Sequence, residues 1–165
     1  MKSAPESTQS SVAFLLAQVG AHAANHFAQR LTPLDLLPQH AGILRMLAHT
    51  SGISQQDLAL KLNMHASRLV GLVDTLEKRG LIERQSSASD RRVYALHLTE
   101  PGRQTLRQLG IIARAHDDAT CEGLSQEERA HLFSLLERVA QQQGLTHGVH
   151  PGYRAPDRPG TSNPA

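Results

Sequence analysis

The sequence predicts a mainly α-helical protein with a small β-hairpin wing, the arrangement called a winged helix-turn-helix. Three observations support this fold class. Apolar residues recur every three or four positions in six segments, which is the spacing of amphipathic helices. The period changes to two between residues 81 and 98, which is typical of a strand pair. Two of the helical segments are short, and a tight turn at Asn63 and Met64 joins them.

Length and charge restrict the class of protein. A chain of 165 residues suits one domain with a tail, and 17 Lys and Arg against 15 Asp and Glu make it only mildly basic. Any contact with nucleic acid must therefore come from a local group of basic residues. The single cysteine excludes a disulfide framework and suits a reducing compartment. Without a long apolar run or a secretory leader, we expect a cytoplasmic protein with no membrane partner.

The first two helices follow from apolar spacing and proline positions. Residues 1–11 are mostly small and polar, and we expect them to be flexible. An amphipathic helix is predicted over residues 12–30, ending before Pro33. A second helix follows Pro38 and stops near Gly52.

The next two helices form the predicted helix-turn-helix. Ser54, followed three positions later by Asp57, resembles a capping box and opens a third helix. A fourth helix is predicted over residues 65–79, and Gly80 suits the left-handed position that ends it. The apolar stripe that we expect to face inward consists of Leu69, Leu72, Val73 and Leu76.

The wing and the last helices complete the order of elements. Strands are predicted at residues 81–84 and 93–98, with a hairpin tip between them. Thr99 is the expected N-cap of a fifth helix that reaches about residue 121, and Ser125 with Glu128 forms the capping box of a sixth. Residues 144–165 are rich in Gly, Pro, His and Thr without a period, which predicts a disordered tail.

The outer face of the fourth helix carries residues suited to the major groove of DNA, which admits one helix. There Arg68 can donate two parallel hydrogen bonds to guanine, and Ser67 can reach a phosphate or a base. The residues that we predict to contact DNA from the third and fourth helices are Lys61, His65, Ala66, Ser67, Arg68 and Gly71.

The wing tip carries a second group of candidate DNA contacts. Arg91 and Arg92 are predicted to enter the narrow minor groove, where the negative potential of DNA is strongest. Asp90 beside them is a poor DNA ligand, and its expected role is to hold a neighbouring arginine in position.

The pattern of this region resembles the multiple-antibiotic-resistance-regulator (MarR) family of transcription factors. Its most specific parts are residues 76–81, which run Leu-Glu-Lys-Arg-Gly-Leu, and Asp90-Arg91-Arg92 followed by Leu98-Thr99. The resemblance covers roughly residues 12–143. It implies one domain with a winged helix-turn-helix at about 38–99 and dimerisation helices at about 12–30 and 100–143.

The same resemblance implies a function. Members of this family are homodimers that bind double-stranded DNA at a pseudo-palindromic operator, usually as repressors, and a small-molecule effector or an oxidant often releases the DNA. An effector pocket between the dimerisation helices and the DNA-binding part is implied, and the residues we assign to it are His22, His26 and His40. No cofactor is expected.

Other classes of function are weaker. The sequence contains no nucleophile with a base at a motif spacing, no Gly-rich loop after a strand and no HExxH, so we do not expect an enzyme. One alternative is a winged-helix module whose wing binds an acidic protein surface. Another is a metal-responsive sensor that uses His22 and His26, which share a helical face. Because the local sequence places no carboxylate or thiol near them, we predict no metal site.

Overall fold

The computed structural model describes residues 11–86 and 94–153. Within these residues the chain forms six α-helices and a three-stranded sheet, so the predicted mainly helical class is confirmed. The elements are α1 (Val12–Leu31), α2 (Pro38–His49), β1 (Ile53–Ser54), α3 (Gln55–Lys61), α4 (Ala66–Lys78), β2 (Ile82–Ser86), β3 (Tyr94–Leu98), α5 (Glu100–Thr120) and α6 (Gln126–Gln142).

Side-chain caps set where the later helices begin. Ser54 Oγ accepts the Asp57 N–H at 3.0 Å, and Thr99 Oγ1 accepts the Gly102 N–H at 3.1 Å. Ser125 and Glu128 bond reciprocally, which confirms the predicted capping box of α6. Each cap satisfies a backbone donor that the first turn of a helix leaves unpaired.

The sheet contains a strand that the sequence analysis missed. β1 pairs antiparallel with β3, which also pairs with β2, so the strand order is β1-β3-β2. Ile53 of β1 lies opposite Leu96, and both are buried. A strand of two residues is too short to show an alternating pattern, and only its pairing with β3 defines it.

The hydrophobic core holds the winged helix-turn-helix together and continues into α5. The largest side chains with less than 2% exposure are Leu31, Ile43, Leu44, Leu47, Leu58, Leu62, Leu69, Val73, Leu76, Ile82 and Leu96. The helix α5 also packs closely against the end of the segment that joins α4 to β2. A Cβ atom on Gly102 would lie only 1.9 Å from the Leu81 carbonyl oxygen. Only glycine allows this approach.

Residues 145–153, which belong to the segment predicted to be a disordered tail, lie against the rest of the domain. Gly144, with φ at +67°, ends the helix, and a short 3₁₀ turn at Pro151–Tyr153 follows. The Tyr153 hydroxyl donates to the Pro38 carbonyl oxygen at 3.1 Å. These partners are 115 positions apart, so no local pattern reveals their contact. The expectations for residues 1–10 and 154–165 lie outside the described residues.

Large apolar side chains on α1, α5 and α6 are left exposed. No residue of α6 is buried, although this helix has a regular apolar stripe. The large apolar side chains exposed on α1, α5 and α6 are Val12, Phe14, Leu15, Leu16, Val19, Ile111, Leu132, Phe133, Leu135, Leu136 and Val139. Within the described part of the chain, no helix is both long and apolar enough to cross a membrane.

Candidate nucleic-acid interface

The helix α4 has one face in the core and one in solvent. Leu69, Val73 and Leu76 are fully buried, as predicted, and Leu72 is half-buried. The opposite face is exposed throughout, and its members are His65, Ala66, Ser67, Arg68, Val70 and Gly71. The core therefore holds the α4 backbone in a fixed place while its outer face stays available for a partner.

A tight turn joins α3 to α4. Asn63 takes a left-handed conformation with φ at +50°, and the Met64 N–H donates to the Ala59 carbonyl oxygen at 2.9 Å. His65 then precedes α4 without a side-chain cap. The exposed Lys61 is the last residue of α3. An exposed helix N-terminus with uncapped N–H groups suits an anion such as a DNA phosphate.

Gly71 lies in the middle of the outer face of α4. A Cβ atom added to it would meet no other atom within 4 Å, so the described residues do not require glycine there. Its carbonyl oxygen accepts a hydrogen bond from Thr75 Oγ1 at 2.9 Å. The missing side chain leaves the α4 backbone open to close approach by a partner.

Arg84 joins the wing to α4. From β2, its guanidinium donates to Asp74 at 2.5 Å, to Glu77, and to Gln55 Oε1 at 3.2 Å. Desolvation opposes the charge of Arg84, but the hydrogen bonds and charges of Asp74 and Glu77 outweigh it and raise its pKa. One guanidinium thus bonds two carboxylates of α4 and offsets part of their negative charge. The sequence analysis missed this role because the partners lie on different elements.

The charged side chains that we predict to contact DNA from α3 and α4 are Lys61 and Arg68, and both are basic. Within residues 11–86 and 94–153, Lys61 and Arg68 take part in no salt bridge, so the described contacts leave both cations open to a phosphate or a base. The wing strands pair as far as Ser86 and Tyr94. The predicted contacts at Asp90, Arg91 and Arg92 belong to the connection between these strands and lie outside the described residues.

The three histidines assigned to an effector pocket are not brought together. His22 and His26 line a cavity of about 640 Å³ between α1 and α5, with Arg30 and His116. His40 does not line it, because it is buried at the start of α2, where its Nδ1 accepts the Leu37 N–H at 3.1 Å. The structure therefore does not bring His40 into one cavity with His22 and His26.

A second cavity, of about 660 Å³, lies between α1, α2, α5 and the residues that follow α6. Phe27, Leu106 and Leu109 supply apolar surface, and Arg45 and His49 supply polar groups. The sequence analysis missed it, since three helices and the C-terminal segment form it together. In the described residues, no group of three or more His, Cys, Asp or Glu side chains is placed to hold a metal ion.

Comparisons with known proteins agree with this geometry. The sequence profile of the MarR family matches residues 34–93. A protein of Thauera aromatica assigned to transcriptional regulation of the hcr operon is 36% identical over 121 residues, which are 73% of each chain.

Two solved structures are also similar. The transcriptional repressor CouR, bound to a 23-mer DNA duplex, is 31% identical with a TM-score of 0.71, and the match covers 79% of this chain and 92% of CouR. A MarR family protein of Mycobacterium tuberculosis in complex with salicylic acid is 26% identical with a TM-score of 0.65, and the match covers 80% of this chain and 98% of that one. By sequence and by fold, the chain belongs to the MarR family of transcriptional regulators.

Proposed function

We propose that this protein binds operator DNA as a homodimer, in most settings as a repressor, and that a small molecule releases it. The observation that carries the proposal is the exposed outer face of α4, which carries Arg68 beside Lys61 of α3, while Leu69, Val73 and Leu76 hold the opposite face in the core. The similarity to CouR, which was solved with a DNA duplex, supports it. Because operator DNA is the proposed target, the proposed place of action is the cytoplasm.

The geometry supports docking of α4 in the major groove. Arg68 and Ser67, together with Gly71, form the surface nearest to the base edges, and a bidentate contact from Arg68 would select guanine. The uncapped N-terminus of α4 and Lys61 bind the flanking phosphates. Arg91 and Arg92 contact the minor groove from the wing, with Asp90 as their support.

The exposed apolar side chains of α1 and α6 support the proposal of a homodimer. The apolar stripe of α6 and the exposed Phe14 and Val19 of α1 would cost free energy in water, and a second copy of the same surface removes them from solvent. Two α4 helices related by a twofold axis then enter major grooves about one helical turn, ~34 Å, apart. The twofold axis explains why the operator should be pseudo-palindromic.

An electrophoretic mobility shift with the promoter region of the protein's own gene tests the proposal. We expect a specific complex at nanomolar protein that survives non-specific competitor DNA. The control variant is Arg107→Gln, which removes an exposed arginine of α5 outside the proposed interface. It should bind the same DNA with the affinity of the wild type. Sedimentation should show a dimer. A monomer, or a protein that binds only non-specifically, contradicts the proposal.

The cavity between α1, α2 and α5 is our candidate for the effector site. Its apolar walls with a few polar groups suit a small aromatic molecule. The similarity to a protein solved with salicylic acid supports a ligand of this kind. Titration of the operator complex with small aromatic acids tests the release, and a complex that no member of such a set dissociates contradicts it.

A further inference from the structure

The residues that follow α6 close one side of the cavity between α1, α2 and α5. We name residues 145–153 the C-terminal strap. Gly148, Val149, His150 and Tyr153 of the strap belong to the cavity lining. The strap is held at two points, because Arg45 donates to the Gly148 carbonyl oxygen and the Tyr153 hydroxyl donates to the Pro38 carbonyl oxygen.

The Tyr153 ring packs directly against the backbone of Gly42. A Cβ atom on Gly42 would lie 2.7 Å from the Tyr153 hydroxyl oxygen and 2.9 Å from two ring carbons. Any larger residue at position 42 would therefore push the ring away. Tyr153 also packs against the core, and burial raises the pKa of its hydroxyl. The Gly42 backbone and the Pro38 carbonyl oxygen thus form a complementary site for the phenol side chain, which we call the seat.

The seat recognises features that a free small phenol shares with Tyr153. The Pro38 carbonyl oxygen accepts a hydroxyl hydrogen, and the glycine surface takes a flat ring. Phe27 and Leu109 add apolar walls, and the Arg45 guanidinium lies at the side. All of these groups lie outside the strap, so they can bind a ring with one hydroxyl whether or not that ring is attached to the strap.

We propose that Tyr153 is an internal ligand of this cavity and that the strap and a free small phenol exclude each other. A tethered group competes at an effective concentration that is commonly millimolar, so the strap weakens the apparent affinity for a free phenol. The inference concerns the cavity that we propose as the effector site, but its binding step does not depend on DNA.

Calorimetric titration with p-cresol, the side-chain analogue of tyrosine, tests the competition on the full chain. We expect Tyr153→Ala to bind p-cresol at least about tenfold more tightly than the wild type. Tyr153→Phe keeps the ring and loses the hydrogen bond to Pro38, so it should fall between them. Tyr94→Ala, a change at an exposed site outside the cavity, is the matched control and should resemble the wild type.

A second variant separates loss of the strap from loss of the seat. Gly42→Ala should release the strap and also block the ring position, so its affinity for p-cresol should not rise. If Tyr153→Ala and the wild type bind p-cresol equally, or if neither binds it while both remain folded by circular dichroism, the proposal is overturned.

Fluorine NMR gives a direct view of the displacement. The chain has two tyrosines, so labelling with 3-fluorotyrosine gives two resonances, and Tyr94→Phe assigns them. Saturation with p-cresol should move the Tyr153 resonance to a solvent-exposed position and leave the Tyr94 resonance unchanged. An unmoved Tyr153 resonance at saturation overturns the proposal. Since no DNA is present, failure to bind an operator would refute only the proposed function.

Discussion

Arg84 on the first wing strand lies 2.5 Å from Asp74 on α4, and the same guanidinium also bonds Glu77 one turn further along the helix. The wing and the helix proposed to enter the major groove are thus joined by one side chain. Arg84 is only about one-fifth exposed, so water screens these pairs less than it screens a surface ion pair. The pairing ties β2 directly to α4.

Replacement of this side chain should affect both stability and binding. Arg84→Met removes the charge-assisted bonds and leaves Asp74 and Glu77 uncompensated, so we expect the free energy of unfolding to fall by about 1–3 kcal/mol. Affinity for DNA should also fall, because two free carboxylates then stand on α4. Urea denaturation and a mobility shift measure the two effects. Arg107→Met, at an exposed site, should change stability by no more than about 0.5 kcal/mol; equal effects of both variants would contradict the role of Arg84.

The wing arginines should control the salt dependence of binding. For Arg91→Ala with Arg92→Ala, each lost phosphate contact should reduce the slope of log K against log salt concentration by roughly 0.9. Fluorescence anisotropy at several salt concentrations measures this slope. The slope of Arg107→Gln should stay at the wild-type value. An unchanged affinity and slope in the double variant would remove the wing from the interface.

Arg68 should affect sequence preference rather than general affinity. If it donates two hydrogen bonds to a guanine, Arg68→Ala should lose about 1–3 kcal/mol of discrimination at one base pair of each half-site. Binding-site selection on random duplexes, for the wild type and the variant, measures the change. A variant that selects the same consensus with the same stringency shows that Arg68 does not recognise a base.

Two glycines of α5 should respond in opposite ways to the same substitution. Gly102→Ala places a methyl group against the Leu81 carbonyl oxygen and should lower the melting temperature strongly or prevent folding. Gly110→Ala meets only the end of the flexible Arg114 side chain, at 3.6 Å, and should stabilise the helix by up to about 1 kcal/mol. Thermal melts followed by circular dichroism compare them. A stable Gly102→Ala protein would show that α5 does not pack against the Leu81 carbonyl oxygen as described.

His40 should make stability depend on pH. Burial, then the nearby Arg79 charge, lowers the pKa of His40 from its ordinary 6.5. The unfolded chain therefore takes up a proton more readily than the folded one, so stability is full above pH 6.5 and falls as the pH drops through the folded pKa. His40→Asn keeps an acceptor for the Leu37 N–H without titrating, and it should flatten this decline. Urea denaturation between about pH 5 and about pH 8, a range that includes the ordinary pKa of histidine, measures the decline in stability. A decline as steep in His40→Asn as in the wild type would exclude His40 as its source.

The sequence alone determined the order and boundaries of most elements. Apolar spacing located the six helices, and the caps at Ser54, Thr99 and Ser125 located three of their starts within one residue. These features depend on hydrogen bonds and side-chain directions within three or four residues, which a linear pattern contains. The inward stripe of α4 and the resemblance to the MarR family follow from the same local information.

Only the tertiary structure decided which distant residues meet. It paired Arg84 with Asp74 and Glu77, placed Gly102 against Leu81, and separated His40 from His22 and His26. It also placed the strap against α2, although the composition of the strap segment predicted disorder. Such contacts depend on packing between elements far apart in the chain, and neither apolar period nor local capping carries that information.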